Sequence, residues 1–239
     1  MLFRSDEQMA LLVQRVSGSH RTYYFFPELA GVGLSYNTFV WQKGLDPRAG
    51  MLRLVFGLGT RAVNRIENDY PRIVALDNPS IKPFVKPQDT ARFSQHYVDV
   101  LNLEENLFES LPSADVLGDG FDARLDLIAT RDAEASERMR ALGKFKDIWV
   151  LTFDELLSST EFPVLMSKML KRLESVYDYP VDIEFTANFN LDGRVQVNLL
   201  QCRPFQTKED YTPAEIPANI KKNKILVRQE GNFMGGSVQ

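Results

Sequence analysis

The strictest alternation of apolar and polar side chains lies in residues 181–187. Apolar residues occupy every second position, and the polar residues between them are Asp182, Glu184 and Thr186. This period of two is that of a β-strand with one buried face, so the pattern predicts a strand whose polar face is open to chemistry. The turn-forming residues at 188–193 and the apolar-polar run at 195–204 predict that this strand belongs to an antiparallel hairpin.

The clearest helical pattern covers Thr160–Tyr177. Its apolar residues recur with a period of 3.6 and therefore share one face. Pro163 is compatible with the first turn, and Ser159 or Thr160 can cap it. Because this segment leads directly into the strand at residue 181, we expect the helix to pack on the apolar face of the sheet, opposite Glu184.

Shorter patterns extend the prediction to an α+β fold with a mainly antiparallel sheet and packed helices. Residues 9–77 are expected to form strands and turns. The predicted strands there are Leu11–Val16, Tyr23–Phe26, Val32–Thr38, Met51–Phe56 and Ile73–Leu76. Further along, Ala123–Thr130 and Ile148–Phe153 are predicted strands, and residues 132–141 have the composition of a helix.

Composition narrows the classes of function. The 239 residues carry a formal net charge of −4 and a sequence pI near 5.4, without the basic field that favours nucleic-acid binding. The single cysteine, Cys202, excludes an internal disulfide framework, which fits a cytoplasmic protein. No apolar run approaches the roughly 20 residues that span a bilayer, and no secretion leader is expected. Small molecules and other protein domains are the expected partners, rather than nucleic acid or a membrane.

The predicted hairpin brings candidate ligand side chains together. Glu184 lies on its first strand, and Gln201 and Arg203 lie on one face of its second strand. Carboxylate and amide oxygens are hard ligands of the kind that Mg²⁺ accepts, and the fork of an arginine suits a phosphate group. Asp182 lies about 6.6 Å along the strand from Glu184 at ~3.3 Å per residue, too far for both to share one ion. The hairpin is therefore a candidate site for a metal and a phosphate.

The same residues carry a resemblance to a known family. A strand with Asp-Ile-Glu, a hairpin and then Leu-Gln-x-Arg resembles the end of the ATP-binding domain of phosphoenolpyruvate synthases and pyruvate phosphate dikinases. These are ATP-grasp enzymes, similar to rifampicin phosphotransferases and glucan water dikinases. The resemblance implies that Glu184 and Gln201 hold Mg²⁺ and the phosphates of ATP. It implies that Arg203 pairs with phosphate as the catalytic group, and that Gln14 contacts the nucleotide.

Three upstream segments also fit the family. Met9–Val16 resembles the strand that leads into the adenine pocket, Ala30–Ser35 resembles the next strand, and Val55–Val63 resembles the Gly-Leu-Gly-Glu turn. One position departs from the pattern, since the Glu of that turn is replaced by Thr60. Arg61 follows it, so a carboxylate is lost and a positive charge is added.

The resemblance covers roughly residues 8–77 and 150–205 and predicts how the chain is divided. A partial ATP-grasp-like domain, the C-terminal part only, is expected in residues 1–79 and 150–207. An inserted subdomain is expected at 80–149, and a linker or the start of the next domain at 208–239. Because the phosphate loop, the phosphohistidine domain and the phosphoenolpyruvate-binding barrel of the family have no counterpart in this resemblance, we expect an excised piece of a larger protein. Alone, it should bind Mg-ATP weakly or not at all, and it should not turn over.

Three functional interpretations stay open at this point. In the first, the parent is an ATP-dependent phosphotransferase, and this chain holds Mg-ATP while phosphate passes to a histidine elsewhere in the parent. In the second, a degenerate ATP-grasp-like module has a regulatory or scaffolding role without transfer activity. Thr60 and the 17-residue separation of Glu184 and Gln201 (201 − 184) favour that alternative. In the third, the match is accidental and the chain is an interaction domain, in which Glu184 and Gln201 would not be neighbours.

Some of these features have simpler explanations when each is taken alone. Gly57–Gly59 is most simply a tight turn. Gln14 could equally be a buried amide that satisfies backbone groups. His20, which follows a Gly-Ser pair, is expected to be a polar loop residue rather than a phosphate carrier.

Overall fold

The architecture is given by a computed structural model of the chain. The structure describes residues 11–64, 66–83, 86, 89–117, 124–190 and 194–205. Within these residues, helices pack against sheets in which every strand pairing is antiparallel. The predicted α+β class with a mainly antiparallel sheet is confirmed.

The described strands form two larger sheets and one ribbon. The five-stranded sheet consists, in spatial order, of β11 (Val195–Pro204), β10 (Val181–Phe189), β3 (Leu29–Leu34), β4 (Met51–Val55) and β5 (Arg72–Ala75). The four-stranded sheet consists of β1 (Ser19–Arg21), β2 (Tyr24–Phe26), β6 (Tyr97–Asn102) and β7 (Leu107–Pro112). The ribbon pairs β8 (Ala129–Asp132) with β9 (Ile148–Leu151).

The helices are short, with one exception. They are α1 (Thr60–Val63), α2 (Asp89–Arg92), α3 (Ser113–Val116), α4 (Leu125–Ile128), α5 (Ala133–Ala141), α6 (Asp154–Ser159) and α7 (Phe162–Tyr177). None of these helices combines the length and the apolar character needed to cross a bilayer.

The predicted hairpin is formed by β10 and β11. Glu184 pairs directly with Gln201, and the next pair is Phe185 with Leu199, so Leu200 is the extra residue of a β-bulge. The bulge absorbs part of the long separation between Glu184 and Gln201. It leaves these two side chains on the same face of the sheet, at the position where the local twist is increased.

The α7 helix covers the apolar face of the five-stranded sheet, as its period predicts. Phe162, Met166 and Leu170 are buried, and they belong to one core cluster with the apolar positions of β10. The rings of Phe162 and Phe185 lie 6.3 Å apart. The first turn of α7 is supported by Thr160, whose Oγ1 accepts a hydrogen bond from the backbone N–H of Phe162. The polar face that carries Glu184 is therefore left free of this helix.

The middle of the chain is joined to the N-terminal strands. β6 pairs with β2, where Tyr24 lies opposite Asn102, so residues 97–112 share a sheet with residues 19–26. Sequence patterns did not predict this pairing, because the runs at 91–101 and 103–111 each fit a helix or a strand equally well. The division into a domain at 1–79 and 150–207 with an insertion at 80–149 stays a prediction.

Three local predictions were wrong. Residues 11–18 form no regular strand, because the side chains of Leu11 and Val13 are 88% and 92% exposed and gain nothing from pairing. Within the predicted strand at 123–130, residues 125–128 form a short helix, α4, that buries Leu127 and Ile128 before β8 begins at Ala129. The strand predicted at 32–38 ends at Leu34, where Ser35 turns to accept a hydrogen bond from the backbone N–H of Val181.

Candidate functional site

The polar face of the five-stranded sheet carries a row of functional side chains. Along one rung of the ladder, Gln201, Glu184, Val32 and Arg53 are successive partners on β11, β10, β3 and β4. Directly opposed residues of an antiparallel pair have Cβ atoms about 5 Å apart. The Glu184 carboxylate and the Gln201 amide can therefore contact the same ligand. Glu184 and Gln201 are therefore neighbours, whereas an accidental match of the motif predicted that they would not be.

Asp182 is paired with a cation through Oδ2, and its Oδ1 is buried without a hydrogen-bond partner. Arg203 donates two hydrogen bonds to its Oδ2, from Nε at 2.9 Å and from the guanidinium terminus at 2.8 Å. The hydrogen bond to Asp182 is the main reason that the pKa of Arg203 is raised, with a smaller contribution from the charge of Glu184. Burial lowers the pKa of Arg53 on β4, and attraction to Asp182 offsets part of that shift. Asp182 therefore lies between two arginines.

A cleft of about 590 Å³ opens next to Glu184, and we refer to it as the polar cleft. One wall is the polar face of β10, with Glu184 and Thr186. The floor is formed by Gly59 and by Thr60, the first residue of α1. Gln14 is among the residues that pass over the cleft. The polar cleft thus combines a carboxylate, hydroxyls, an amide and backbone groups.

The structure places three of the four predicted ligand residues in or beside the polar cleft. Gln14 and Glu184 line it, and Gln201 is exposed on the strand opposite Glu184. The Gln14 amide donates a hydrogen bond of 3.3 Å to the carbonyl of Leu200, the bulge residue, so it is exposed rather than a buried amide. Arg203 lies on the same face as Gln201 but points to Asp182.

Several polar residues of the cleft were not among the candidate ligands, and Thr186 and Arg15 are the two that matter most for an anionic ligand. Thr186 is 5% exposed, and its Oγ1 has no hydrogen-bond partner. It belongs to the polar positions of the alternating strand, so the signal for it was present in the sequence. Arg15 also lines the cleft and brings a positive charge next to Gln14. A buried, unpaired hydroxyl is costly, and a ligand that accepts its hydrogen bond would recover that cost.

The departure at Thr60 and Arg61 is explained by a buried network. The Thr60 hydroxyl donates to Asp99 Oδ2, and Arg61 Nε donates to Asp99 Oδ1 at 2.9 Å. Arg61 also donates to Asp69 and, at 3.0 Å, to the hydroxyl of Ser110. Arg61, Asp69 and Asp99 are all at least 90% buried. Thr60 and Arg61 thus fasten the turn to β6 and β7, and the positive charge of Arg61 is used inside the fold.

The carboxylates of this site do not form a metal cage on their own. Among the residues that the structure describes, no group of three or more His, Cys, Asp or Glu side chains is positioned to share an ion. A Mg²⁺ ion bound through a nucleotide differs from such a cage, because it takes one or two protein ligands and completes its shell with phosphate oxygens and water. Glu184 and Gln201 fit that second kind of site.

Comparison with protein families identifies the chain. Residues 2–224 match the family described as pyruvate phosphate dikinase, AMP/ATP-binding domain. The chain belongs to this family. The match includes residues 78–149, which the resemblance of individual motifs left uncovered. A comparison with curated proteins gives no match. The chain is therefore an ATP-binding domain of the dikinase type.

Proposed function

We propose that this dikinase-type domain holds Mg-ATP in the polar cleft, for phosphoryl transfer to a histidine elsewhere in the parent protein. The observation that carries the proposal is the arrangement of Glu184, its ladder partner Gln201 and the unpaired hydroxyl of Thr186 around one cleft. Each group has a separate task. Glu184 and Gln201 would supply oxygen ligands to Mg²⁺, and Thr186 would donate a hydrogen bond to a phosphate oxygen.

The remaining charges of the cleft support an anionic ligand. Arg15 lies beside Gln14 in the lining, where it would face the phosphates, and Gln14 would meet the base or ribose. Mg²⁺, when bound, would neutralise negative charge on the phosphates during phosphoryl transfer. The protein's part is then positioning and charge stabilisation, with the acceptor histidine and other domains of the parent as partners.

Arg203 has a modified role in this proposal. Its fork is occupied by Asp182, in an ion pair whose arginine side chain is 52% exposed and whose carboxylate side chain is 13% exposed. Because the Arg203 guanidinium is half exposed, a phosphate could reach it, and the positive charge of Arg53 would still face Asp182. We propose that Arg203 pairs with phosphate only in the nucleotide complex.

Replacement of the Thr186 hydroxyl by a methyl group tests the site. Thr186→Val removes the unpaired hydroxyl and keeps the shape of the side chain. We expect it to leave the free energy of unfolding unchanged or higher and to weaken Mg-ATP binding about tenfold, measured by calorimetric titration. Thr130→Val is the matched control, because the Thr130 hydroxyl pairs with Thr152 at 2.7 Å, and neither residue is part of the cleft lining. It should leave the affinity for Mg-ATP unchanged.

The degenerate alternative predicts a different result. A module with a scaffolding role would show no binding that depends on Mg²⁺, so titration of ATP with Mg²⁺ and then with EDTA separates the two. Tighter binding in Mg²⁺ that Thr186→Val reduces supports the nucleotide site. Binding of equal strength in both buffers supports the scaffold.

A further inference from the structure

A second cavity lies at the other edge of the five-stranded sheet, and we refer to it as the β5 pocket. It has a volume of about 260 Å³ and is lined by Phe39, Tyr70, Arg72, Lys82, Thr90 and Phe93, among others. β5 is separated from β10 by β3 and β4, about 14 Å at ~4.8 Å per strand. The described linings of the β5 pocket and the polar cleft share no residue.

The walls of the β5 pocket are aromatic and apolar. The rings of Tyr70 and Phe93 meet edge to face with centroids 5.4 Å apart, which fixes one side. Phe39, Pro71 and Leu151 extend the apolar lining. At about 260 Å³ the cavity is smaller than the 300–1,000 Å³ typical of sites for drug-sized ligands, so it suits a small molecule and excludes a nucleotide.

The charges in this lining are all positive. Arg72 and Lys82 both line the β5 pocket, and no carboxylate is found in the part of the lining that the structure describes. The two cations share one carboxylate, that of Asp154. It lies 2.7 Å from Lys82 Nζ and 4.0 Å from a terminal nitrogen of Arg72. This group of two cations and one anion has a net charge of +1 and lies beside an apolar cavity.

Arg72 is the group that bears the uncompensated charge. Its side chain is only 6% exposed, and burial lowers its pKa, with Asp154 offsetting part of the shift. The guanidinium donates to the carbonyls of Ile73 at 2.7 Å and Pro79 at 3.2 Å, and its Nε is buried without a hydrogen-bond partner. Neutral carbonyls do not cancel the charge, so an anion in the cavity would be strongly favoured.

We propose that the β5 pocket binds a small organic carboxylate with an aromatic or branched apolar group, at a site separate from the polar cleft. The carboxylate would pair with Arg72 and Lys82, and the apolar group would pack on Tyr70 and Phe93. Inorganic anions would lose the apolar contacts, and neutral aromatic molecules would leave the positive charge unpaired. Both parts of the ligand are therefore needed.

Benzoate is a suitable probe, and benzyl alcohol is its neutral counterpart. Titration of the full chain, followed by calorimetry and by ligand-observed NMR, should show saturable benzoate binding that is about tenfold or more tighter than that of benzyl alcohol. Saturating Mg-ATP should not displace benzoate, and inorganic phosphate should compete poorly. Equal affinity for benzyl alcohol, or displacement by Mg-ATP, would overturn the proposal.

Two substitutions should change the affinity in opposite directions. Lys82→Met leaves Asp154 free to balance Arg72, which brings the net charge to zero, so benzoate should bind about tenfold more weakly. Asp154→Asn removes the shared carboxylate and raises the net charge to +2, so benzoate should bind more tightly. A structural role alone would not reverse the sign between them. Changes in the same direction would count against the charge argument.

A third substitution tests the location. Thr90→Phe fills the cavity without changing any charge, and it should abolish benzoate binding. Arg138→Met, on the solvent face of α5 with a side chain that is 68% exposed, is the control and should bind benzoate like the wild type. Circular dichroism confirms that each variant is folded. If the folded Thr90→Phe variant keeps wild-type affinity, the ligand lies elsewhere and the assignment to the β5 pocket is wrong.

Discussion

Arg203 places two hydrogen bonds, 2.9 and 2.8 Å long, on a single carboxylate oxygen of Asp182. Asp182 and Glu184 project from the same face of β10, yet their surroundings differ. Asp182 pairs with Arg203 and attracts Arg53, whereas Glu184 lines the polar cleft. The ion pair thus separates a carboxylate that holds the strands together from a carboxylate that is available to a ligand.

The buried network at Arg61 should be a major source of stability. Arg61→Met would leave Asp69 and Asp99 buried without their cation, which costs about 3–5 kcal/mol of the free energy of unfolding. Urea denaturation followed by circular dichroism measures this loss. Arg138→Met, at the surface, should change the same quantity by no more than about 0.5 kcal/mol. Equal effects of the two substitutions would show that the network adds nothing.

Restoring the family's Glu at position 60 should harm the protein. The Thr60 hydroxyl donates to Asp99, so Thr60→Glu would bring a second carboxylate against one that is 97% buried. We expect a lower melting temperature than in Thr60→Val, which loses only one hydrogen bond, worth about 1 kcal/mol. Differential scanning calorimetry compares them. A Thr60→Glu variant that melts at or above the wild-type temperature would contradict the network account.

Gly57 should be far less replaceable than Gly44, although both have positive φ. The φ angles are +90° and +102°, so alanine is strained at either position, by about 1–2 kcal/mol. A Cβ at Gly57 would also lie 2.5 Å from a methyl group of Val98, whereas none of the surrounding atoms comes within 4 Å of one at Gly44. We therefore expect Gly57→Ala to lose about 2–5 kcal/mol in urea denaturation. Similar losses at both glycines would count against close packing of the turn on β6.

Acid should remove the contribution of Asp147 to stability. A hydrogen bond from Arg131 is the main cause that lowers the pKa of Asp147, and Arg140 adds to it. Because the folded pKa lies below the unfolded one, the stabilisation is present above the unfolded pKa and is lost as the pH falls through the folded value. The difference in unfolding free energy between wild type and Asp147→Asn should be seen at pH 7 and vanish in acid. Glu104→Gln, in an exposed turn, is the control, and a difference that persists at the lowest pH would refute the assignment.

Much of the fold could be predicted from periodicity, but long-range features could not. The strict alternation at 181–187 and the 3.6-residue period before it correctly predicted β10 and α7, because each buries one face against the same core. The exposed run at 11–16 was wrongly predicted as a strand, since its apolar composition carries no information about a pairing partner. Residues 97–112 form strands because β2 offers a free edge, which a local pattern does not reveal.

The candidate site shows the same limit. The spacing of Gln201 and Arg203 correctly placed them on one face, and Glu184 and Gln201 proved to be ladder partners. The pairing of Arg203 with Asp182 could not be foreseen, because the sequence gives no side-chain directions. Similarly, Thr60 stood out in the sequence only as the replacement of a carboxylate, and the position of Asp99 shows that its hydroxyl has a structural partner.

His20 should carry no phosphoryl group. It lies on β1 rather than in the predicted loop, with its ring against Phe25 at a centroid distance of 5.1 Å, on a different sheet from Glu184. Incubation of the chain with ATP labelled at the β- or γ-phosphate, followed by peptide mapping under alkaline conditions, should find no stable label there. Stable label on His20 would show that the acceptor lies in this chain and that the proposed transfer to another domain is wrong.

The central claim is that Glu184, and not Asp182, holds the metal of Mg-ATP. Calorimetric titration of Mg-ATP into wild type, Glu184→Gln and Asp182→Asn, each with its unfolding free energy measured, tests it most directly. We predict that Glu184→Gln weakens Mg-dependent binding about tenfold or more at unchanged stability. Asp182→Asn should lower stability by about 1 kcal/mol or less and change the affinity little. Equal losses of affinity in the two variants, or a loss only in Asp182→Asn, would contradict the account.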